Sequence, residues 1–259
     1  MARVFVTGSA DGLGLLAGRQ LAAAGHEVVL HARNARRAAD AWAALPGAAA
    51  VVVGDVVTLD GMREVATQAT AAGPFTAVIH NVAVGYRERR LTTADGLNHV
   101  FAVNVLAPYL LTALIPLPRR LVFLSSGLHR SGNPSLDDPQ WERRSWNGMQ
   151  AYSDSKLHDV VLAFAAARRW PSVQSNALEP GWVPTKMGGA GAPDDLEAGA
   201  DTQAWLAASD DPAAAVSGGY FFHRRPREAH PPARDPAAQD RLLEICASVS
   251  GAAWPAAAG

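Results

Sequence analysis

The fold is decided by a stretch near the N-terminus, Arg3-Val4-Phe5-Val6-Thr7-Gly8-Ser9-Ala10-Asp11-Gly12-Leu13-Gly14. A short apolar run enters a turn with three glycines, and a helical stretch rich in Ala and Leu follows. Glycines let a backbone turn tightly and approach a diphosphate, which is attracted to the free N–H groups at a helix N-terminus. Glycines also mark plain turns. The position of these between a predicted strand and a predicted helix favours nucleotide binding.

The same alternation continues along the chain. β-Branched runs predict strands at 3–7, 27–31, 50–54, 76–80, 121–125, 173–178 and 219–222. Helices are predicted at 13–24, 35–45, 59–72, 97–114, 153–169, 200–209 and 239–248. The first five strands lack polar alternation, which is typical of a parallel sheet covered on both faces. The sequence therefore predicts a three-layer, doubly wound α/β fold of the Rossmann type, with a seven-stranded, mostly parallel sheet.

We expect one domain over residues 1–250. The stretch 127–148 is too long for an ordinary connection and is interpreted as an ordered insertion near the active site. Residues 186–199 are expected to form a loop on the substrate side. The Ala-, Pro- and Gly-rich end, 251–259, is expected to be a flexible tail.

The composition excludes several classes of protein. The 259 residues are 49% hydrophobic and 18% charged, with a net charge of -1, unlike a disordered chain or a basic nucleic-acid-binding module. The single Cys246 excludes an internal disulfide, and no metal cluster is indicated. We expect no signal peptide, because the first apolar stretch is short and runs into the glycine turn. We expect no membrane span, because Asn104, Pro108, Thr112 and Pro116 interrupt the longest apolar run. The cytoplasm is the expected location.

The segment after the second predicted strand bears on the cofactor. NAD-binding members of such folds carry an acidic residue there, whereas this chain has Arg33, whose guanidinium can pair with a 2′-phosphate. NADP(H) is therefore favoured, although Arg33 can also be the solvated start of a helix. Asp55, after the third strand, can accept a hydrogen bond from adenine or cap a turn.

A tyrosine and a lysine stand four residues apart in Tyr152-Ser153-Asp154-Ser155-Lys156, which puts them on one helix face. A phenol acting as acid or base near neutrality needs a pKa about 3 units below its usual value. A cation at about 4 Å can supply an effect of that size. Only Lys156 and Lys186 are lysines among the 23 Lys and Arg residues, which indicates that Lys156 is needed as a compact charge.

With these motifs the chain resembles the short-chain dehydrogenase/reductase family over residues 2 to about 250. The glycine turn, the Tyr-x-x-x-Lys pair, Ser126 after the fifth strand, Asn104 in the fourth helix and Pro180-Gly181 after the sixth strand match the family pattern. The interval from Ser126 to Tyr152 and the sequence around Tyr152 resemble the retinol-dehydrogenase-like group. One departure is His80-Asn81-Val82-Ala83, where the family usually has Asn-Asn-Ala-Gly.

The resemblance implies a role for each matched residue. Tyr152 would exchange the proton, Ser126 would bind the reacting oxygen, Lys156 would lower the pKa of Tyr152 and bind ribose, and Asn104 would hold a water linked to Lys156. The implied cofactor-binding residues are Thr7, Gly8, Ser9, Asp11, Gly12, Leu13, Gly14, Arg33, Asp55, Val56, Asn81, Val82, Ala83, Tyr152, Lys156, Pro180, Gly181, Val183 and Thr185. A bulky hydrophobic substrate is expected against Leu128, Trp141, Trp146, Met149, Trp182 and Met187.

These observations favour an NADP(H)-dependent carbonyl reductase or alcohol dehydrogenase acting on a small molecule. A nucleotide-binding regulatory protein that kept the fold without catalysis is the alternative, disfavoured because Tyr152, Lys156, Ser126 and Asn104 are all present. An epimerase or dehydratase of related fold would usually have another glycine spacing and a longer chain. A nucleic-acid partner is not expected. A dimer or tetramer is possible, and the oligomeric state and the role of Lys186 stay open.

Overall fold

The computed structural model describes residues 1–87 and 89–256. Its sheet has the strands β1 (Arg3–Val6), β2 (Glu27–Ala32), β3 (Ala50–Val53), β4 (Ala77–His80), β5 (Arg120–Leu124), β6 (Gln174–Glu179), β7 (Tyr220–Phe222) and β8 (Arg225–Pro226). Their order is β3-β2-β1-β4-β5-β6-β7-β8. The first seven pair in parallel, and β8 pairs antiparallel with β7. The predicted Rossmann-type fold is confirmed.

The strand count is eight rather than seven. After Phe222 the chain reverses through His223 and Arg224, both with positive φ, and β8 then pairs over only two residues. The sequence did not predict β8, because an edge strand of two residues, one of them a proline, shows no alternating pattern.

Helices cover both faces of the sheet. They are α1 (Gly12–Ala23), α2 (Ala35–Ala44), α3 (Leu59–Ala72), α4 (His99–Phe101), α5 (Ala107–Leu114), α6 (Gly148–Arg169), α7 (Leu196–Ala208) and α8 (Pro236–Ser250). Successive strand residues point to opposite faces, so Val4 and Val6 join one apolar core while Phe5 joins the other. This arrangement explains why the strands are apolar without alternation.

Capping residues set helix boundaries that the apolar pattern missed. Asn147 accepts a hydrogen bond from Gln150 N, so α6 begins at Gly148 rather than 153. Asp195 accepts from Ala198 N, so α7 begins at Leu196 and the expected loop 186–199 ends earlier. Tyr152 therefore lies in the second turn of α6. The predicted helix 97–114 is continuous but contains a π-helical segment, Ala102–Leu106, between α4 and α5.

The described part of the C-terminal tail is packed rather than free. Trp254 is buried, its ring stacks on Tyr109 at 5.4 Å, and its Nε1 donates to the Tyr109 carbonyl at 2.9 Å. The prediction that residues 251–259 form a flexible tail is therefore wrong at Trp254. Burial of this one large apolar ring anchors a segment whose Ala, Pro and Gly residues predict no structure. Residues 257–259 lie outside the described residues.

Candidate active site

A large cleft of about 1420 Å³ opens at the carboxyl edge of the sheet, where the ends of β1, β2, β4, β5 and β6 meet. Ligands of doubly wound folds bind at this edge. Most of the predicted site residues border it: Gly8, Asp11, Gly12, Leu13, Arg33, Asp55, Val56, Asn81, Val82, Ala83, Ser126, Leu128, Met149, Tyr152, Lys156, Pro180, Gly181, Trp182, Val183, Thr185 and Met187. The topology thus gathers residues from the whole chain into one cleft.

The glycine turn leaves the N-terminus of α1 open toward this cleft. Gly12 has φ of 55°, and a Cβ there would meet no atom within 4 Å. The N-cap residue of α1, Asp11, makes no capping side-chain hydrogen bond within the described structure, unlike the N-cap residues of α2, α3, α6, α7 and α8. The first N–H groups of α1 are therefore available to an anion, and the turn fits the diphosphate of a dinucleotide.

Three residues expected to bind cofactor instead hold this turn in shape. Thr7 Oγ1 accepts from Asn81 N and Val82 N at 2.9 and 3.1 Å. The buried Ser9 hydroxyl donates to Val6 O at 2.7 Å, so Ser9 does not face the cleft. A Cβ on Gly14 would lie 2.5 Å from Asn81 Nδ2. These three residues support the backbone that approaches the ligand.

His31 was missed by sequence reasoning, and it also supports the turn. Gly8 N donates to its Nδ1 at 2.9 Å, so the proton is on Nε2, which donates to Gly54 O at 2.9 Å. Burial lowers the pKa of His31 although the Gly54 carbonyl acts in the opposite sense. The neutral ring links the ends of β1, β2 and β3. A histidine inside an apolar strand was the only available signal.

The adenosine end of the cleft carries two arginines. Arg33 is exposed at its rim, and Arg37 pairs with Asp11 at 2.6 Å and Asp40 at 2.9 Å. Asp55 borders the cleft and also accepts from Val57 N at 3.2 Å, so it caps its own turn. A cation at the end of β2 is consistent with a phosphorylated ribose.

Asn104 lies behind the cleft rather than in it. Its Oδ1 accepts from Val84 N at 2.8 Å, and its Nδ2 donates to Val84 O at 3.1 Å and to Ser155 Oγ at 2.9 Å. The side-chain amide therefore ties Val84, which follows the altered segment 80–83, to Ser155 on α6. The role implied for Asn104, holding a water linked to Lys156, stays a prediction. A π-helical segment carries Asn104, and such segments are frequent near functional sites.

The residues predicted to transfer the proton lie where β5 and α6 approach each other. Ser126 and Tyr152 both border the cleft, and the Ser126 hydroxyl acts on the phenol to favour its ionised form. The Lys156 ammonium lies 5.8 Å from the Tyr152 ring centre. It donates to Leu124 O at 2.8 Å and to Asp159 Oδ2 at 2.7 Å. The predicted Ser, Tyr and Lys are thus brought together.

Lys156 lowers the pKa of Tyr152 as expected, but not enough to bring it below the ordinary tyrosine value. Burial raises the pKa of Tyr152 and is the largest influence, while Lys156 and then Ser126 lower it and Asp159 raises it. The result lies above the ordinary tyrosine pKa, so one lysine does not outweigh desolvation in the protein alone. Asp159 could not be recognised as a participant from sequence, because an acid three residues after a lysine is common on exposed helices.

The segment after β6 closes one side of the cleft. Gly181 has φ of 87°, and Asp194 packs against it while accepting from Trp182 N at 2.5 Å. Lys186 Nζ reaches Asp11 Oδ2 at 2.5 Å across the cleft mouth. Although partial burial acts to raise it, the contacts with Lys186 and Arg37 hold the pKa of Asp11 below its usual value. Lys186, for which the sequence indicated no role, joins this segment to the glycine turn.

The substrate end of the cleft is less apolar than expected. Leu128, Met149, Trp182 and Met187 border it. Trp141 and Trp146 do not: their rings contact each other at 5.5 Å, and the Arg144 guanidinium covers Trp141 at 3.7 Å. These two tryptophans pack the 127–148 insertion itself, where Asp138 accepts from three successive backbone N–H groups.

Four further residues at this end were missed. Tyr86 meets the Tyr152 ring edge-on at 6.0 Å, and Arg130, Glu179 and Arg227 also border the cleft. Burial raises the pKa of Glu179, against the charges of Arg130 and Arg227. Glu179 directly precedes Pro180 at the carboxyl end of β6, a position that in a parallel sheet signals a site residue.

Comparison with known proteins agrees with this geometry. Residues 2–127 match the family described as short chain dehydrogenase. The chain is 45% identical over 260 residues to an uncharacterized oxidoreductase of Emericella nidulans, covering 98% of this chain and 99% of the relative. It is 39% identical over 259 residues to the short-chain dehydrogenase chry4 of Gibberella zeae, with 98% and 99% covered. The chain belongs to the short-chain dehydrogenase family.

Two further similarities refine this placement. Human retinol dehydrogenase 13 is 31% identical over 198 residues, covering 71% of this chain and 60% of the relative, so the predicted likeness to retinol dehydrogenases is confirmed. A crystal structure of a protein from Mycobacterium paratuberculosis superposes with a TM-score of 0.85 at 25% identity, covering 98% and 95%. The protein is therefore an oxidoreductase that uses a nicotinamide cofactor and acts between CH–OH and C=O groups.

None of the helices in the described part of the chain has the length and apolar character needed to span a bilayer. Within residues 1–87 and 89–256, no cluster of His, Cys, Asp and Glu is arranged to hold a metal ion.

Proposed function

We propose that this protein is an NADP(H)-dependent reductase of ketones or aldehydes, also able to run as an alcohol dehydrogenase. One observation carries the proposal: Tyr152 and Ser126 border the same cleft as the open N-terminus of α1, with Lys156 directly beside the tyrosine. A cofactor bound at the glycine turn would extend along the sheet edge toward Tyr152. NADPH supplies the hydride in this chemistry.

Each side chain has a distinct task in carbonyl reduction. Ser126 donates a hydrogen bond to the carbonyl oxygen and polarises it. As the carbonyl carbon gains a hydride, the Tyr152 phenol gives its proton to the same oxygen, so an alcohol and a tyrosinate form while the cofactor is oxidised. Lys156 stabilises the tyrosinate through its positive charge. Solvent then returns the proton to Tyr152, and alcohol oxidation is the reverse sequence.

The preference for NADP(H) over NAD(H) rests on the rim of the cleft beyond β2. Arg33 is exposed there, and the strand end offers no carboxylate to hold two ribose hydroxyls. Arg37 adds a second cation, although Asp11 and Asp40 already pair with it. A phosphate placed between these guanidinium groups would form charge-assisted hydrogen bonds.

We further propose a bulky substrate with a largely apolar body. Leu128, Met149, Trp182 and Met187 offer apolar surface in the same cleft as Tyr152, and Arg130, Glu179 and Arg227 offer charged groups there. An apolar body buried against the former would gain about 25 cal/mol per Å². A polar substituent would meet the latter.

The function is tested with purified full-length protein, NADPH and a panel of bulky ketones and aldehydes, following NADPH absorbance. We expect turnover with at least one bulky carbonyl compound, and a decrease of about 10²–10⁴-fold in kcat for Tyr152→Phe with NADPH binding retained. Tyr109→Phe is a matched control, because Tyr109 lies against Trp254 away from the cleft. Equal activity in Tyr152→Phe would disprove the mechanism.

A regulatory protein that binds the nucleotide without catalysis is the second candidate. Its support is the net upward shift in the pKa of Tyr152, caused first by burial. NADPH binding without oxidation by any compound of a broad panel would favour it. Cytoplasmic location and a single domain over 1–250 stay predictions of the sequence, and the oligomeric state stays open.

A further inference from the structure

The catalytic lysine has a buried partner that the proposed mechanism does not use. Lys156 Nζ donates to Asp159 Oδ2 at 2.7 Å and to Leu124 O at 2.8 Å. Both side chains are almost inaccessible, at 2% exposed for Lys156 and 4% for Asp159. An ammonium has three N–H donors. Two are taken inside the protein, which leaves one for a ligand in the cleft that Lys156 borders.

Stability alone does not account for this pair. Placing two charges in the interior carries a desolvation penalty of several kcal/mol per ion, and apolar residues of similar volume are often as stable. The pair also lies on one helix with the acid after the lysine, the less favourable order for a helical ion pair. A buried carboxylate beside Lys156 is therefore better explained by its effect on the neighbouring phenol.

The charged and titratable groups that act on Tyr152 come from several elements. Lys156 and Asp159 lie on α6, Ser126 follows β5, and Tyr86 follows β4. Tyr220, on β7, interacts with the phenol as well. Lys156 and Ser126 lower the pKa of Tyr152, whereas Asp159 and Tyr86 raise it. Ionised Asp159 thus opposes the lysine's attraction for a tyrosinate.

Asp159 is ionised at neutral pH in spite of its burial. Desolvation raises its pKa to about 6, against the charge and the hydrogen bond of Lys156. At pH 7 the two groups therefore form a pair with little net charge, and a buried phenol next to such a pair keeps its proton.

We propose that Asp159 is a positioning residue, whose carboxylate holds the Lys156 ammonium and offsets its charge so that Tyr152 remains the protonated acid that carbonyl reduction requires. This inference rests on the proposed function. The inference also predicts the direction of the reaction. The site is arranged for reduction near neutral pH, whereas alcohol oxidation, which needs the tyrosinate, is shifted to alkaline pH.

The first test measures the phenol itself, in the full-length protein without cofactor or substrate. The chain has four tyrosines, so ¹³Cζ-labelled tyrosine gives four NMR signals, and Tyr152→Phe identifies the one from Tyr152. We expect the Tyr152 signal to titrate about 1 pH unit or more lower in Asp159→Asn than in the wild type, because a nearby negative charge is removed. Asp159→Ala should shift it in the same direction.

A matched control separates charge at the phenol from the general effect of losing a buried acid. Asp154 is a buried carboxylate on the same helix that pairs with Arg144 at 3.1 Å. Asp154→Asn should leave the Tyr152 titration within about 0.3 pH units of the wild type, since Asp154 is not among the groups acting on the phenol. Thermal unfolding confirms that each variant is folded. A Tyr152 titration that is unchanged in both Asp159 variants would overturn the proposal.

The second test compares the two directions of the reaction. In Asp159→Asn the pH at which reduction declines and oxidation rises should move down by the same interval as the NMR titration. A uniform decrease of kcat at all pH values would instead show a structural role and overturn the proposal. If the wild type transfers no hydride, the proposed function fails, whereas the NMR titration still judges the effect of Asp159 on Tyr152.

Discussion

The chain's two lysines each pair with an aspartate, but in opposite surroundings. Lys156 and Asp159 are buried under the catalytic end of the cleft, whereas Lys186 is 85% exposed and reaches Asp11 across its mouth. The N···O distances are similar, 2.7 and 2.5 Å. Water screens the exposed pair and is excluded from the buried one. The contact distance therefore says little about what each pair does, and burial decides it.

The largest expected effect comes from breaking the buried pair. Lys156→Met should lower the free energy of unfolding by up to about 3–5 kcal/mol, because Asp159 loses its buried partner and must either stay charged without one or take up a proton. Urea denaturation near pH 7 measures it. The double variant Lys156→Met/Asp159→Asn should recover most of that stability, although not activity. If Lys156→Met were as stable as the wild type, water would reach the Lys156–Asp159 pair and the assigned burial would be wrong.

Arg33, an exposed cation at the rim of the cleft, should affect cofactor binding but not the stability of the protein. Arg33 makes no ion pair in the described structure, so Arg33→Ala should leave the stability nearly unchanged. We expect KM for NADPH to rise by about 10–100-fold, because one or two charge-assisted hydrogen bonds are lost. KM for NADH should change by less than about threefold. The control is Arg36→Ala, a nearby arginine in the first turn of α2 that lies outside the cleft lining. An unchanged NADPH preference would place the 2′-phosphate elsewhere.

The two aspartates should respond to acid with opposite sign. The pKa of Asp159 is raised to about 6 from an ordinary value of 3.8, so the folded state binds its proton more tightly. Relative to Asp159→Asn, the wild type should gain about 1.4 kcal/mol per pH unit as pH falls from 6 toward 4.

The pKa of Asp11 is lowered, so its contribution to stability is present above the ordinary value and is lost as pH falls through the folded-state pKa. Relative to Asp11→Asn, the wild type should therefore lose stability below about pH 4. Denaturant unfolding across the pH range, with each variant as the reference, measures both slopes. Slopes of equal sign would contradict the assigned difference between the two pairs.

The smallest effect should follow from breaking the exposed pair. Lys186→Ala should change the free energy of unfolding by less than about 1 kcal/mol, because solvent and salt screen an ion pair at such a site. The effect on the KM for NADPH should also be small and should vanish in high salt. A change of tenfold or more would show that the Lys186 contact with Asp11 holds the cleft closed over its ligand.

Motifs of contiguous residues predicted their part of the molecule well. The glycine turn, the strands and the spacing of Tyr152 and Lys156 depend on local backbone geometry, and the structure places them as expected. Helix starts were less predictable, because Asn147 and Asp195 cap helices whose first turns carry no apolar pattern. Trp141 and Trp146 were wrongly assigned to the pocket, since an aromatic residue in a loop can pack either against ligand or against the loop itself.

The sequence by itself determined the fold class, the glycine turn and the pairing of Tyr152 with Lys156 on one helix, because each depends on residue type at short spacing. Only the tertiary structure decided which of them face the cleft. It turned Ser9 and Asn104 away to support the backbone, brought Lys186 to Asp11, and buried Asp159 against Lys156. Burial and long-range contacts determine how a charge acts, and neither is encoded in the spacing of neighbouring residues.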